Sequence, residues 1–318
     1  MSVPSTRPAF QHAAECGILS AGFKEGFMEG NRAGSISLRA RVALARYAFR
    51  PSKGLSQNFL FDEASLNEIA DVAEIRGGDR VLEIGPGAGT LTAVMAERGA
   101  RVLALEIDRA LMPVLEEVLA PYPNAQIKNE DASRARFGDA IEAAFGEGEY
   151  KIVSNLPYSL TSELIERAVL QARKPSRVVV TVQEEAARRI VASPGEKAYC
   201  ALAVKVRLYG EASALLRLPP ESFEPKPHVW SRVARIVRHA APLAPPEAEP
   251  SIVRLIDACF AMRRKTIANN LRAAYPSAGE AAIIALHEAG IDPMARGETL
   301  TIERVIGLRA AMDRREIP

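Results

Sequence analysis

Val81-Leu82-Glu83-Ile84-Gly85-Pro86-Gly87-Ala88-Gly89 is an apolar run that passes into a turn with glycine at every second position. The run predicts a strand, and Leu91–Arg98 behind it carries apolar residues at helical spacing, so the turn joins strand to helix. Glycine lets a backbone pass close to a ligand and take positive φ where a side chain would clash. Dinucleotide binders usually space these glycines G-x-G-x-x-G to seat a pyrophosphate on the helix start. The spacing G-x-G-x-G suits a cofactor without phosphate. Taken alone, such a turn is weak evidence of any ligand.

Outward from this unit the pattern repeats. Arg101–Glu106, Ala125–Asn129, Tyr150–Ser154 and Arg177–Gln183 read as further strands, with helical spacing in Leu111–Leu119 and Leu160–Leu170. Strands apolar on both faces, separated by helices, predict a Rossmann-like α/β domain with a mainly parallel, doubly wound sheet. Ligands then bind at the carboxyl ends of the strands. Leu202, Val204, Val206 and Leu208 alternate as in a strand, yet the segment runs on to Pro219; a helix followed by an edge strand is the reading adopted. Pro242, Pro245, Pro246 and Pro250 break all periodicity. Beyond them Ile252–Ala274, Gly279–Glu288 and Thr301–Met312 read as helices. The organisation expected is an extension over 1–35, an α/β domain over 36–241, a proline-rich linker over 242–250, and an all-α C-terminal domain over 251–318.

Bulk properties exclude little. The 318 residues are 48% apolar and 25% charged, with a formal net charge of +2, as in ordinary globular proteins. Cys16, Cys200 and Cys259 lie far apart, and His12, His228, His239 and His287 do not cluster with them. Neither a metal site nor a disulfide framework is expected, and free thiols fit a reducing cytoplasm. No apolar run has the length of a membrane span. Residues 1–35 mix small residues with Glu15, Glu25 and Glu29, unlike a secretory signal or an acid-poor transit peptide. A disordered extension, or a true start near Met28, is expected there.

Two acids strengthen the cofactor reading. Glu106 ends the second strand of the repeat about 20 residues beyond Gly85, where Rossmann-type folds bond ribose hydroxyls. Asp131 follows the third, where a carboxylate can accept from an adenine amino group. Either alone is as easily a solvated loop acid; at successive strand ends they favour a nucleoside-containing cofactor. The fourth strand delivers Asn155-Leu156-Pro157-Tyr158, which resembles the Asn/Asp-x-Pro-aromatic motif of S-adenosylmethionine-dependent methyltransferases acting on exocyclic base amines. An aniline-like amine is a poor nucleophile because its lone pair is delocalised into the ring. An Asn oxygen and a backbone carbonyl accepting from it favour a more pyramidal nitrogen, and Tyr158 can stack on the base. Positioning and fixed dipoles then supply most of the acceleration.

Four further segments carry a closer resemblance. They are Ser56-Gln57-Asn58-Phe59-Leu60, Phe223-Glu224-Pro225-Lys226-Pro227-His228-Val229-Trp230-Ser231, Arg263-Arg264-Lys265-Thr266 with Asn269-Asn270-Leu271, and Gly290-Ile291-Asp292 with Arg296 and Glu298. From about 38 to 310 the chain resembles the KsgA family of small-subunit ribosomal RNA adenine dimethyltransferases. Ser56, Cys200-Ala201 and Gly297 depart from its usual residues.

The resemblance implies S-adenosylmethionine held by Asn58, Leu60, Gly85, Gly87, Glu106, Asp131 and Asn155. Catalysis would fall to Asn155, Leu156, Pro157 and Tyr158, with Phe223 sandwiching the target base. It also implies two methyl groups on each of two adjacent adenines in a hairpin loop near the 3′ end of 16S rRNA, during small-subunit maturation. A base must leave its stack to reach the methyl donor, which loop nucleotides do at lower cost. Arg254, Arg263, Arg264, Lys265 and Arg272, opposed only by Asp257, form a stripe that can meet phosphates, with Arg263, Arg264 and Lys265 as the candidate RNA contacts. A solvated basic helix face is the plainer reading of such a run. Nothing calls for a dimer or a membrane. The alternatives are a large-subunit 23S rRNA adenine methyltransferase of the macrolide-resistance type and a non-catalytic assembly or transcription factor on the same fold.

Overall fold

The computed structural model describes residues 35–55 and 57–317. The extension expected over 1–35 therefore lies, Ser35 apart, outside the described residues, as does Ser56. In chain order the elements are α1 (Ile36–Arg46), β1 (Phe59–Leu60), α2 (Glu63–Val72), β2 (Arg80–Ile84), α3 (Thr90–Glu97), β3 (Arg101–Glu106), α4 (Met112–Leu119), β4 (Ala125–Asn129) and α5 (Phe137–Phe145). There follow β5 (Lys151–Asn155), α6 (Thr161–Leu170), β6 (Arg177–Gln183), α7 (Glu184–Val191), α8 (Ala201–Tyr209), β7 (Gly210–Leu218), β8 (Phe223–Glu224) and β9 (Ser231–Arg238). Helices α9 (Glu249–Phe260), α10 (Ile267–Ala274), α11 (Gly279–Glu288) and α12 (Ile302–Asp313) end the chain.

A seven-stranded sheet runs in the order β4-β3-β2-β5-β6-β9-β7. The first five strands are parallel, and β9 runs antiparallel to both β6 and β7. Side chains alternate between faces, and the strands feed two apolar layers accordingly. Val81, Val102, Val153 and Val179 pack with Leu66, Leu91, Met95 and Leu115 of α2, α3 and α4. Leu82, Leu103, Ile152 and Val178 pack with Ile141, Leu164, Ile190 and Val206 of α5 to α8. This is the doubly wound architecture the strand pattern predicts. Its strand order reverses between β2 and β5, the position at which such sheets open a crevice.

The alternating segment resolves into helix α8 and then edge strand β7, as expected. Helix α8 mimics a strand pattern because both its faces are covered: Leu202 and Val206 face the sheet, while Ala203, Val204 and Leu208 face the C-terminal helices.

Two expectations fail in the C-terminal region. Pro250 belongs to the first turn of α9, a position where its missing N–H costs nothing. The single helix expected over Ile252–Ala274 is two, with a corner at Ala261–Lys265. Thr266 caps α10 by accepting from Asn269 N at 3.3 Å, and Asn270 Nδ2 donates to the Cys259 carbonyl at 2.8 Å. The second helix thus supplies a donor to the C-terminal end of the first. Arg263, Arg264 and Lys265 lie exposed on this corner rather than along a helical stripe. Arg272 is paired with Glu280, and Asp257 with Lys205.

The C-terminal helices share one core with residues from the sheet domain. Tyr199, Ala203, Val204 and Leu208 pack with Leu255, Ile256, Leu286 and Leu308. Lys205, 3% exposed, joins Glu166 of α6 at 2.6 Å and Asp257 of α9 at 2.7 Å.

Candidate active site

A cavity of about 220 Å³ opens at the carboxyl ends of β2, β3, β4 and β5, where the strand order reverses. Asn58, Leu60, Gly85, Gly87, Glu106, Asp131 and Asn155 all line it. They come from five separated stretches of chain, brought together because parallel strands end on a common edge.

The glycine turn forms the floor. Gly85, Gly87 and Gly89 have φ of 66°, 57° and 80°, in the left-handed region that disfavours side chains. A Cβ on Gly87 would stand 2.7 Å from the Phe59 ring, so β1 closes directly over the turn. A Cβ on Gly85 would lie 3.8 Å from the Pro157 ring, which sets the Asn155–Tyr158 motif against the glycine turn.

The walls are acidic. Glu106 is 4% exposed and accepts from Asp108 N at 2.8 Å; burial raises its pKa, against backbone donors that lower it. Asp131 accepts from Ser133 N at 2.9 Å, and the bonds from Ser133 hold its carboxyl below the usual range. Glu83 escaped the sequence reading, where it stood as one polar letter in an apolar strand. It lines the cavity at 1% exposure and accepts from the Thr92 hydroxyl at 2.5 Å, and burial pushes its carboxyl up to about 8. Ile107, also missed, is 51% exposed at the cavity. Its only signal was its place directly after the acid at the β3 end. No lysine or arginine side chain is found among the described lining residues. A wall of carboxylates without cations suits a hydroxyl-bearing, positively charged ligand and repels a pyrophosphate.

Asn155 stands at the end of β5. Its Nδ2 donates to the Asn58 carbonyl at 2.9 Å, and because a carbonyl can only accept, that bond fixes which end of the amide faces it. The remaining oxygen, Oδ1, is buried and meets no hydrogen-bond partner among the described residues. A buried acceptor left open is costly unless a ligand completes it.

The other motif residues divide. Pro157 lines the cavity, whereas Leu156 is 3% exposed and packs into the core. Tyr158 is half-buried, with its hydroxyl 2.7 Å from Ser231 Oγ, and burial raises its pKa. Phe223 departs from expectation. It is 2% exposed, pairs with Leu60 across β1 and β8, and packs into the cluster that holds Phe59. A ring so covered offers no face to a base in this structure. Arg263, Arg264 and Lys265 are not among the residues lining the cavity. Among the described residues no group of His, Cys, Asp and Glu is arranged to hold a metal, and no helix is long and apolar enough to cross a membrane.

Residues 48–308 match the family described as ribosomal RNA adenine dimethylase. The ribosomal RNA small subunit methyltransferase A of Bacillus mycoides (strain KBAB4) is 38% identical over 279 residues, 86% of this chain and 95% of its own length. The protein of the same name from Bacillus cereus (strain B4264) gives the same figures. Among solved structures, a dimethyladenosine transferase from Plasmodium falciparum aligns with a TM-score of 0.68 at 21% identity, covering 81% of this chain and 98% of that one. The 23S rRNA methyltransferase ErmE aligns with a TM-score of 0.61 at 29% identity, covering 80% and 99%.

Proposed function

The chain belongs to the ribosomal RNA adenine dimethylase family, and from that premise we propose that it transfers methyl groups from S-adenosylmethionine to the N6 amines of two adjacent adenines in a hairpin loop of 16S rRNA. The small-subunit reading is favoured over the large-subunit one by relatives named for the small subunit at 38% identity, against 29% for ErmE. Residues 36–241 carry the chemistry in this reading, and 251–318, beyond the proline-rich 242–250, face the RNA with Arg263, Arg264 and Lys265. One chain acts as a monomer, in the cytoplasm, on the immature small subunit.

The observation that carries the reading is Asn155 on the wall of an acidic, glycine-floored cavity, its buried Oδ1 without a hydrogen-bond partner among the described residues. The residues fit the cofactor: Glu106 for ribose hydroxyls, Asp131 for the adenine amine, the Gly85–Gly87 turn for close backbone approach, and Asn58 and Leu60 as cover. When bound, S-adenosylmethionine supplies an electrophilic methyl group on sulfur.

The rest falls to the chain. Asn155 Oδ1 accepts from the target amine, drawing lone-pair density back onto nitrogen and orienting it for in-line attack. Its own Nδ2 stays on Asn58, so the acceptor does not have to reorganise as charge develops. Pro157 packs against the glycine turn and fixes the distance between the base and cofactor sites. Tyr158, anchored by Ser231, packs beside the base.

The test is to incubate the purified chain with labelled S-adenosylmethionine and small subunits lacking the modification, then map the label. Dimethyladenine at two adjacent loop positions is the expected result. Label in large-subunit RNA instead points to the 23S reading, and RNA binding without transfer to a non-catalytic factor.

A further inference from the structure

Two aromatic faces were expected at the base site, and the structure buries one of them. It exposes another. Trp230, the single tryptophan of the chain, is 40% exposed. It directly precedes Ser231, the residue whose hydroxyl meets Tyr158. Because β9 runs antiparallel to β6, its first residue lies opposite Gln183, the last of β6, on the edge where the cavity opens. Arg217, at the far end of β7, reaches the same edge.

The indole is held rather than loose. Arg217 lays its guanidinium over the ring, 4.1 Å from the centroid. Arg217 Nε donates to Glu184 Oε2 at 2.8 Å, and Glu184 N donates to the Trp230 carbonyl at 3.0 Å. Glu184 is shared: Arg188 and Arg232 also reach it, each at 3.3 Å. Three guanidiniums on one carboxylate leave positive charge beside an exposed flat ring. Aromatic faces next to cations are what unstacked nucleotides bind.

We propose that Trp230 stacks against a base flanking the target adenine, so that a neighbouring nucleotide is held in single-stranded form while the target enters the cavity. The proposal rests on the methyl-transfer reading and adds a substrate-positioning residue to it. Val229, next to Trp230 in sequence, and Leu160, on the cavity wall, are exposed apolar side chains as well.

The chain's own composition supplies the probe, since every change in tryptophan emission comes from Trp230. The full chain is titrated with a synthetic RNA hairpin whose loop holds adjacent unpaired adenines. Saturable quenching is expected, because a stacked base quenches indole emission. Trp230→Ala is expected to weaken hairpin binding by roughly 5- to 150-fold, the range of one lost stack, with Trp230→Phe recovering most of it. In turnover the defect appears more in KM for RNA than in kcat. Calorimetric binding of S-adenosylmethionine by each variant confirms an intact fold. Hairpin binding without quenching, or undiminished binding by a folded Trp230→Ala, overturns the stacking and leaves the methyl-transfer reading standing. A defect on whole subunits but not on naked hairpin also overturns it, placing a protein against the ring. No RNA binding and no methyl transfer by the unaltered chain overturns both.

Discussion

The side-chain amide of Asn155 is tied to the main-chain carbonyl of Asn58 at 2.9 Å, across 97 residues of sequence. That bond joins the end of β5 to the segment covering the cavity, and Asn155 Oδ1 is buried without a hydrogen-bond partner among the described residues. In the proposed reading, donor and acceptor of one amide do different things: one closes the site, the other serves the substrate.

Asn155→Ala removes both. Loss of an acceptor aimed at the reacting group lowers kcat by about 10²- to 10³-fold, while cofactor binding stays measurable. Asn155→Asp keeps an acceptor but sets a carboxylate oxygen against the Asn58 carbonyl, so its cofactor affinity falls further than that of Ala. Steady-state turnover and calorimetry separate the two effects. Near-normal turnover in Asn155→Ala would rule out the proposed role.

Gly87→Ala tests the floor. The methyl group meets the Phe59 ring at 2.7 Å, and the backbone φ of 57° costs a non-glycine residue roughly 1–2 kcal/mol. Phe59 must move, and with it the strand that covers the turn. Cofactor affinity is expected to fall at least tenfold with a lower Tm. Unchanged affinity would mean that β1 is not needed to close the site.

Phe223→Ala is a core deletion here. Emptying a site this covered costs about 3–5 kcal/mol, and β8 holds β1 in place, so thermal stability and cofactor binding fall together. A variant of normal Tm that loses only base binding would restore Phe223 as a stacking residue.

Glu83 makes stability depend on pH. Its folded carboxyl is pushed up to about 8 by burial, against an ordinary value of 4.5. Between those values the folded chain keeps a proton that the unfolded chain has lost. The stability due to this group is fully present below about pH 4.5 and is lost as the pH rises through about 8. Glu83→Gln does not titrate and still accepts from Thr92, so its Tm should rise relative to the parent chain between pH 5 and 8. A constant difference over that range would show Glu83 ionised in the folded state.

Much of this was readable from residues, and the failures share a cause. Strands Arg80–Ile84, Arg101–Glu106, Ala125–Asn129 and Arg177–Gln183 stand where their apolar runs place them, because a strand buried on both faces shows itself locally. The fourth strand is displaced by one residue, to Lys151–Asn155. The resemblance sets Phe223 against the target base, whereas its burial is made by β1, more than 160 residues away in sequence. The corner before Thr266 misled because arginine and lysine are good helix formers. What breaks the helix is a cap and an Asn270 bond that only the folded chain assembles. Glu83 is not legible as a site residue in the sequence, since its partner Thr92 lies beyond the glycine turn.

Lys205 bears on how this chain can be cut and recombined. The proline-rich stretch invites division into two transplantable modules. Yet a fragment ending there would leave one carboxylate of the Lys205 triad behind and bare the apolar face of α8 that Leu255 and Ile256 cover. A hybrid carrying a relative's C-terminal helices would inherit the same demand: an acid where Asp257 stands, on a helix that fits α8. The proline-rich stretch is therefore not a seam along which parts could be exchanged.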